Sequence, residues 1–253
     1  MKGIVFAAGV GSRLKPFTDT HPKALAPVGG DTALGFVIRR LVDAGADGVV
    51  VNVHHFARQV IDWLAARHFG VPVEISDESP LLLDTGGALA KIYRESRIVA
   101  AAAPDEPLIV HNADILTDFP LAALTQALAE ADAAVLVDAD RASSRALLFD
   151  SDGRMRGWEN VRDGIVRPEG IDPASFTAAA FGGVHALRRR VLADISAYCG
   201  PTLHPFGIVP YYIDRCADLC IRACMPPKPY RWHDIGTPER LARAQQTFSS
   251  TPS

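Results

Sequence analysis

Two glycines and three basic side chains near the start of the chain form the first group of residues that could do chemistry. Gly9 and Gly11 follow an apolar run over residues 4–8. Glycines let the backbone turn sharply and let its N–H groups approach a ligand, as phosphate-binding loops require. The side chains that follow supply a hydroxyl and three cations, which suit a triphosphate: Ser12, Arg13, Lys15 and Lys23. We therefore expect a nucleotide to contact Ala8, Gly9, Gly11 and Ser12.

Two familiar kinds of glycine-rich loop do not fit this stretch. A dinucleotide-binding loop needs a third glycine where Leu14 stands, and a helix that runs straight on from the turn. Three prolines prevent such a helix: Pro16, Pro22 and Pro27. A Walker A loop needs Gly-Lys-Ser or Gly-Lys-Thr, which this segment lacks. What remains is a strand, a glycine-rich turn and an extended basic loop.

Two aspartates far apart in the sequence each end a run that predicts a strand. Asp114 follows the apolar residues 108–110, and Asp234 follows Arg231 and Trp232. Mg²⁺ prefers oxygen ligands and usually takes one or two carboxylates together with substrate phosphates. We therefore expect Asp114 and Asp234 to hold Mg²⁺, the alternative being that each caps a turn. Because two facing carboxylates repel, an Asp→Asn change should leave folding intact or improve it slightly.

The glycine-rich loop and both aspartate segments resemble the sugar-1-phosphate nucleotidylyltransferase family. GVGSRLKPFTDTHPKALAP, over residues 9–27, follows the family's Gly-x-Gly-x-Arg-Leu turn and its Pro-Lys-x-Leu-x-Pro continuation. HNADI at 111–115 and WHDIGTP at 232–238 match the family's two metal-binding motifs. The resemblance implies a Mg²⁺-dependent transfer from an NTP to a sugar 1-phosphate with release of pyrophosphate. It assigns catalysis to Arg13, as a fork on the outer phosphates, and to Lys23, as a point charge near the reacting phosphate.

A second glycine pair lies in the segment ESPLLLDTGGAL, over residues 78–89. This segment looks most like one found in N-acetylmuramate 1-phosphate uridylyltransferases and in heptose 1-phosphate guanylyltransferases. The resemblance implies nucleotide binding by Glu78, Thr85, Gly86 and also Asn112. Backbone groups at a Gly-Gly turn could pair with a base edge. UTP is the favoured nucleotide, and GTP stays open because the two sub-families use different bases.

The acceptor side of the site is less well marked. Where many family members have Glu-Lys-Pro, with the Glu on sugar hydroxyls, this chain has Glu159 followed by Asn160 and Val161. Gly182, in the segment FGGV, matches a family glycine that lets the sugar ring approach the backbone. We therefore expect Glu159 and Gly182 to bind the acceptor, although Glu159 could equally be a surface turn residue.

Two other functions fit the same residues. The acceptor could be a non-sugar phosphate such as phosphocholine, because related cytidylyltransferases share the first loop. Alternatively, the chain could be a nucleotide-sensing subunit on the same fold without turnover. A sensor need not keep both metal ligands, so the joint presence of Arg13, Lys23, Asp114 and Asp234 argues for an enzyme.

The elements that must position these residues alternate between strands and helices. Apolar runs at 4–8, 49–53, 73–75 and 108–110 predict buried parallel strands. Helical spacing predicts helices over 34–42 and 56–64, and a third helix from the glycine pair to about Arg97. In the second half, strands at 133–138, 145–149, 154–158 and 178–185 alternate with turns. We predict a Rossmann-like, doubly wound α/β fold with a mixed, mainly parallel sheet, helices on both faces and added β-hairpins in the second half.

Composition limits the remaining possibilities. The chain has 253 residues, of which 48% are hydrophobic. We expect one nucleotidyltransferase domain over residues 1–247 and a frayed tail over 248–253. A net charge of −3 argues against a nucleic-acid partner. The sequence predicts no signal peptide and no membrane span, hence no membrane partner and a cytoplasmic protein. The oligomeric state, monomer or homodimer, is left open.

Cysteine and histidine residues carry no metal pattern. The four cysteines contain no Cys-x-x-Cys pair, so we expect buried, reduced thiols. Cys216 and Cys220 are predicted on a helix and Cys224 on a strand. His111 is expected to be a neutral histidine of the core.

Overall fold

Strands and helices alternate along the chain in the computed structural model, which describes residues 1–225 and 229–248. The strands are β1 (Lys2–Phe6), β2 (Pro27–Val28), β3 (Asp31–Thr32), β4 (Val49–Val53), β5 (Val73–Asp77), β6 (Pro107–Asn112), β7 (Ile115–Thr117), β8 (Ala133–Asp138), β9 (Arg145–Phe149), β10 (Met155–Asn160), β11 (Ile165–Arg167), β12 (Thr177–Arg188), β13 (Ile221–Cys224) and β14 (Trp232–Asp234). The α-helices are α1 (Ala33–Asp43), α2 (Ala57–Ala65), α3 (Asp84–Glu95), α4 (Arg97–Ala100), α5 (Ala122–Ala127), α6 (Arg189–Tyr198), α7 (Ile208–Arg215) and α8 (Pro238–Phe248).

The centre of the main sheet is parallel, as the apolar runs predicted. Its strands lie in the order β6, β1, β4, β5, and Ile4 pairs with Val50 on one side and Val110 on the other. Strand β1 ends at Phe6, two residues earlier than expected. Ala7 therefore begins the glycine-rich loop, where its N–H donates to Oδ1 of Asn52 at 2.7 Å.

Antiparallel strands extend this sheet in the second half of the chain. The long strand β12 pairs with β6, β8 and β9, and the hairpins β9–β10 and β10–β11 continue beyond it. Strand β13 returns parallel to β8. The predicted mixed, mainly parallel sheet with added hairpins is confirmed.

Helices cover both faces of the sheet, because alternate residues of each central strand point to opposite sides. Ile4 and Val50 pack with α3, α6 and α7 on one face. Val5 and Val51 pack with α1, α2 and α5 on the other face. This two-sided arrangement is the doubly wound pattern that the sequence predicted.

The predicted strand that ends at Asp234 lies outside the main sheet. Strand β14 pairs only with β7 in the described structure, in a short antiparallel ribbon that brings Asp234 opposite Ile115. A small apolar cluster holds this ribbon, the basic loop and α8 together. Leu14 anchors the basic loop in the cluster and is 1% exposed. Asp234 therefore reaches Asp114 through the ribbon and not through a neighbouring strand of the main sheet.

The C-terminal boundary also differs from the prediction. Phe248, assigned to the frayed tail, ends α8 and is buried, with its ring 5.1 Å from that of Phe36. Residues 249–253, the rest of that tail, lie outside the described residues. In the part of the chain that is described, no helix is both long and apolar enough to cross a bilayer.

The histidine and cysteine predictions are largely confirmed. His111 is buried, and burial lowers its pKa to about 4, so the ring is neutral. All four cysteines are free thiols, three of them buried. Cys216 and Cys220, however, follow the end of α7 at Arg215 and do not lie on the helix.

Candidate active site

A cavity of about 380 Å³ opens at the carboxyl ends of β1, β4 and β6. Its lining includes residues of the glycine-rich loop, the basic loop and the first turn of α3. Seven of the residues predicted to bind or react line it: Ala8, Gly9, Lys23, Glu78, Thr85, Asn112 and Asp114. The others, Gly11, Ser12, Arg13, Gly86, Glu159, Gly182 and Asp234, are not part of this lining. The sequence therefore located one pocket from four separate segments.

The two glycines of the first loop serve different purposes. Gly9 is exposed, and a Cβ placed on it would meet nothing within 4 Å, so the loop leaves space for a ligand there. Gly11 has a φ of +67°, and a Cβ on it would lie 2.9 Å from Cβ of Lys23 and from Cγ2 of Thr18. Glycine at position 11 thus allows both the left-handed backbone and the close approach of the Lys23 side chain.

Lys23 lies between the two aspartates. Its Nζ is 2.5 Å from Oδ2 of Asp114 and 3.8 Å from Oδ1 of Asp234. The Lys23 side chain is 10% exposed, against 34% for Asp114 and 20% for Asp234. A buried ammonium needs such partners, because an unpaired charge away from water is costly. The predicted repulsion between the carboxylates is therefore wrong for this structure, since a cation separates them.

Asp234 is further fixed by its own turn and by α8. The N–H of Gly236 donates to Oδ1 of Asp234 at 2.7 Å, and Nη1 of Arg240 lies 2.6 Å from Oδ2. The oxygen donors of Asp114 and Asp234 fit a hard divalent cation. Among the described residues no group of three or more His, Cys, Asp or Glu side chains could form a complete protein cage. The pair therefore fits a Mg²⁺ that shares its coordination with substrate phosphates.

Arg13 lies at the edge of this centre. Its side chain is exposed, and Nη2 is 3.3 Å from where a Cβ on Gly236 would stand, so it reaches the turn that holds Asp234. Its guanidinium makes no hydrogen bond or ion pair with the residues that the structure describes. Lys15, in contrast, pairs with Asp19 at 3.0 Å. The five guanidinium donors of Arg13 are thus available to an anionic ligand.

Glu78 supports the pocket wall and does not present a free carboxylate to a base, contrary to the sequence interpretation. It is 1% exposed, and burial raises its pKa. Its Oε1 accepts from Nδ2 of Asn52 at 2.8 Å, and its Oε2 accepts from the N–H of Leu83 at 3.1 Å. Asn52 in turn holds the amide of Ala7. Glu78 therefore positions the start of the glycine-rich loop through Asn52.

The Gly86-Gly87 pair likewise packs against protein. Both amides donate to the carbonyl of Phe206, at 2.8 and 3.2 Å, and are not free to pair with a base edge. A Cβ on Gly86 would lie 2.3 Å from the ring of Phe206. Oγ1 of Thr85 accepts from the N–H of Ile208 at 2.8 Å, so it caps the start of α7. The base-reading role predicted for Gly86 is thus not supported by this geometry.

The two predicted acceptor residues lie apart from the pocket. Glu159 is half-buried on β10, paired with Ala146 and Val166. Its neighbour Trp158, not Glu159, lines a separate cavity of about 600 Å³ against α7. That larger cavity contains neither the glycine-rich loop nor the aspartates. Gly182 is buried, with Leu136 only 2.9 Å from where its Cβ would stand. Packing accounts for Gly182, and acceptor binding by either residue stays a prediction.

Asn52 and two arginines were not identified from the sequence. Asn52 interrupts the β-branched strand VVVNV one residue before its end, which is a usable signal for a polar group at the ligand edge. Arg240 follows the Gly-Thr-Pro of the second aspartate motif, and Arg141 follows β8. Neither arginine has a local signal, because only the tertiary fold brings them beside Asp234.

Comparison with known proteins is consistent with this geometry. The profile of the family described as MobA-like NTP transferase domain matches residues 3–208. An N-acetylmuramate alpha-1-phosphate uridylyltransferase of Caulobacter vibrioides is 29% identical over 96% of this chain and 94% of that protein. A mannose-1-phosphate guanyltransferase of Gibberella zeae is 34% identical over 47% of this chain and 32% of that protein. The structure of HddC from Yersinia pseudotuberculosis complexed with GMP-PN is 19% identical, with a TM-score of 0.74 over 98% of this chain and 99% of that chain, and shows the same fold.

Proposed function

This chain belongs to the MobA-like NTP transferase domain family, and from that premise we propose that it is a Mg²⁺-dependent sugar-1-phosphate nucleotidylyltransferase. The observation that carries the proposal is the position of Lys23. Its Nζ contacts Asp114 at 2.5 Å inside a pocket that begins at the glycine-rich loop, and Asp234 is 3.8 Å away. A cation, a pair of carboxylates that can hold a metal and an open backbone turn are the groups that the transfer of a nucleotidyl group requires.

The proposed reaction needs little covalent help from the protein. An oxygen of the acceptor phosphate attacks the α-phosphorus of the NTP, and the bond from that phosphorus to the departing pyrophosphate breaks. The acceptor oxygen is already an anion, so no general base is needed. Lys23 aligns and neutralises the reacting phosphate, while Arg13 and the loop amides bind the departing pyrophosphate. Asp114 and Asp234 would hold Mg²⁺, which supplies further charge neutralisation at the phosphates.

UTP is the proposed nucleotide, and N-acetylmuramate 1-phosphate is the first acceptor to test. Both choices are supported by the relative from Caulobacter vibrioides, whose similarity extends over nearly the whole chain. A guanylyltransferase acting on a heptose or mannose 1-phosphate is the second candidate. It is supported by the guanyltransferase relative from Gibberella zeae, which matches 47% of the chain. The geometry of Glu78 and Gly86 does not separate the two, because both residues are occupied by protein partners.

Pyrophosphate release by the purified protein tests the proposal. Each of the four NTPs should be combined with a panel of sugar 1-phosphates and with phosphocholine. We expect release with UTP and a sugar 1-phosphate, at least about tenfold faster in kcat/KM than with GTP, since a mismatched base leaves buried groups unpaired. EDTA should abolish release, and added Mg²⁺ should restore it.

The other outcomes of this assay have distinct meanings. A preference for GTP would move the chain to the guanylyltransferases, and turnover with phosphocholine alone would reject the sugar acceptor. Tight nucleotide binding without turnover of any acceptor would favour the sensing subunit. Equal rates with and without chelator would reject the metal assignment.

A further inference from the structure

Three arginines surround a separate cavity on the side of Asp234 that faces α8. The cavity has a volume of about 300 Å³. It is lined by Arg141, Ala142, Trp232, His233, Asp234, Arg240 and Arg243. Three distant segments therefore meet here: the loop after β8, strand β14 and the first turns of α8. We call this cavity the arginine pocket.

Arg141 forms the inner wall of the arginine pocket. Its guanidinium lies 4.2 Å from the centre of the Trp232 ring, and its Nη2 donates to the carbonyl of Phe181 at 2.5 Å. Its Nε is buried and has no hydrogen-bond partner among the described residues. Burial lowers the pKa of Arg141, and the carboxylates of Asp138 and Asp234 oppose that effect. A guanidinium stays charged in such surroundings, so Arg141 contributes a cation to the pocket lining.

The two arginines of α8 add charge where the helix itself does not favour it. Arg240 lies in the first turn of α8 and Arg243 one turn later, both exposed. The start of a helix carries partial positive charge, which disfavours cations. Arg240 is compensated by its pair with Asp234. Arg243 makes no hydrogen bond or ion pair through its side chain to the described residues. Among the described residues the lining thus carries three guanidinium groups and one carboxylate, an excess of positive charge.

The arginine pocket is joined to the reaction centre through Asp234. One oxygen of that carboxylate faces Lys23 at 3.8 Å, and the other contacts Arg240 at 2.6 Å. A group bound in the pocket is therefore beside the phosphates that react at Lys23. Trp232 lines the pocket with its ring against the Arg141 guanidinium, which fixes that cation in the pocket wall.

We propose that the arginine pocket binds a second anionic group on the acceptor, a carboxylate or a phosphate in addition to the 1-phosphate. This inference rests on the proposed function and narrows its substrate class to acidic sugar 1-phosphates. Arginine is the side chain that pairs most specifically with either anion, because its planar fork can donate two parallel hydrogen bonds. Arg141 and Arg243 supply those donors, and Arg240 keeps Asp234 directed toward Lys23.

Three compounds that share one ring test this inference: glucose 1-phosphate, glucuronic acid 1-phosphate and glucose 1,6-bisphosphate. They differ only at carbon 6, which carries a hydroxyl, a carboxylate or a phosphate. We expect isothermal titration with the full chain to give at least about tenfold tighter binding of one acidic compound than of glucose 1-phosphate, as a charge-assisted pair provides. The acidic compound that binds more tightly identifies the anion as carboxylate or phosphate.

Arg243→Ala is the informative variant, because the exposed side chain can be removed without disturbing packing. In this variant, the dissociation constant of glucose 1-phosphate divided by that of the tighter-binding acidic compound should fall toward one. The control is Arg58→Ala on α2, another exposed arginine, whose side chain pairs with Asp62 at 2.9 Å. It should keep the full ratio. Arg141→Lys, which retains the charge and loses the fork, should lower the ratio in part.

Two results would overturn the inference. One is equal affinity for all three compounds, or binding of none of them. The other is an Arg243→Ala variant that keeps the ratio but binds pyrophosphate less tightly, which would assign the pocket to the leaving group. Pyrophosphate release is measured on the same preparation with both neutral and acidic acceptors, and release with any of them supports the proposed function even where the affinities overturn this inference.

Discussion

At the scale of single residues, the position of Lys23 changes what each aspartate is expected to contribute. The Lys23 ammonium neutralises a pair of carboxylates that would otherwise face each other with little water around them. Asp114 is the nearer partner, and Asp234 has two further donors in Gly236 and Arg240. The aspartates are therefore not equivalent for stability, although both are proposed to hold the same metal.

Asp114→Asn should destabilise the fold, while Asp234→Asn should have little effect on it. The first change removes the closest counter-ion of a largely buried ammonium and should lower the free energy of unfolding by about 1 kcal/mol, reduced from buried-pair values because Asp114 is partly exposed. The second keeps an oxygen for the Gly236 amide and loses the pair with the exposed Arg240 and the longer, 3.8 Å contact with Lys23. Urea unfolding of both variants without added metal measures the difference. Turnover should fall by orders of magnitude in both.

A matched double variant separates the ion pair from other effects of the substitution. Lys23→Met removes the cation, so adding Asp114→Asn to it should cost less than Asp114→Asn alone. Equal losses in the two backgrounds would mean that the 2.5 Å contact contributes nothing to stability. If the Asp114→Asn protein were more stable than the parent, the result would support the repulsion between the two carboxylates that the sequence predicted.

At the scale of elements, the wall of the cavity at the carboxyl ends of β1, β4 and β6 is tied to α7. In the first turn of α3, the amides of Gly86 and Gly87 donate to the carbonyl of Phe206. The hydroxyl of Thr85 accepts from the N–H of Ile208, where α7 begins. Residue type and spacing correctly placed Thr85 in the pocket wall, whereas Gly86 is not part of the lining. They could not show that a segment 120 positions later would use the same donors, because that contact forms only through tertiary packing.

Thr85→Val should lower stability more than nucleotide affinity. Valine keeps the shape of threonine but cannot accept from the Ile208 amide, and loss of such a cap costs about 1 kcal/mol. Thr85→Ser keeps the hydroxyl and should stay close to the parent. Urea unfolding and titration with UTP, performed on the same samples, give the two quantities. A large loss of UTP affinity at unchanged stability would instead support the direct nucleotide-binding role predicted from the sequence.

At the scale of the whole molecule, the sequence predicted the layers of the fold better than the contacts between distant segments. Hydrophobic periodicity identified the central strands and the helices of both faces, because each is encoded locally. The sequence predicted a strand ending at Asp234 but not its pairing with β7, because tertiary packing decides the partner of so short a strand. The arginine pocket could not be predicted from the sequence either, because tertiary packing brings its residues together from positions 141–142, 232–234 and 240–243.

Strand β12 should make the hairpin region and the parallel core unfold together. It pairs with β9 at its start and with β6 at its end, so neither part can lose its sheet without exposing the other. Trp63 on α2, Trp158 on β10 and Trp232 on β14 report on three regions of the chain. Three variants, each keeping one tryptophan and replacing the other two by phenylalanine, should show urea midpoints by fluorescence that coincide with the midpoint by circular dichroism of the same variant. Comparison within each variant removes the effect of the substitutions on stability. An earlier midpoint for Trp158 alone would mean that the hairpins form a separate folding unit, and the single domain expected over residues 1–247 would be rejected.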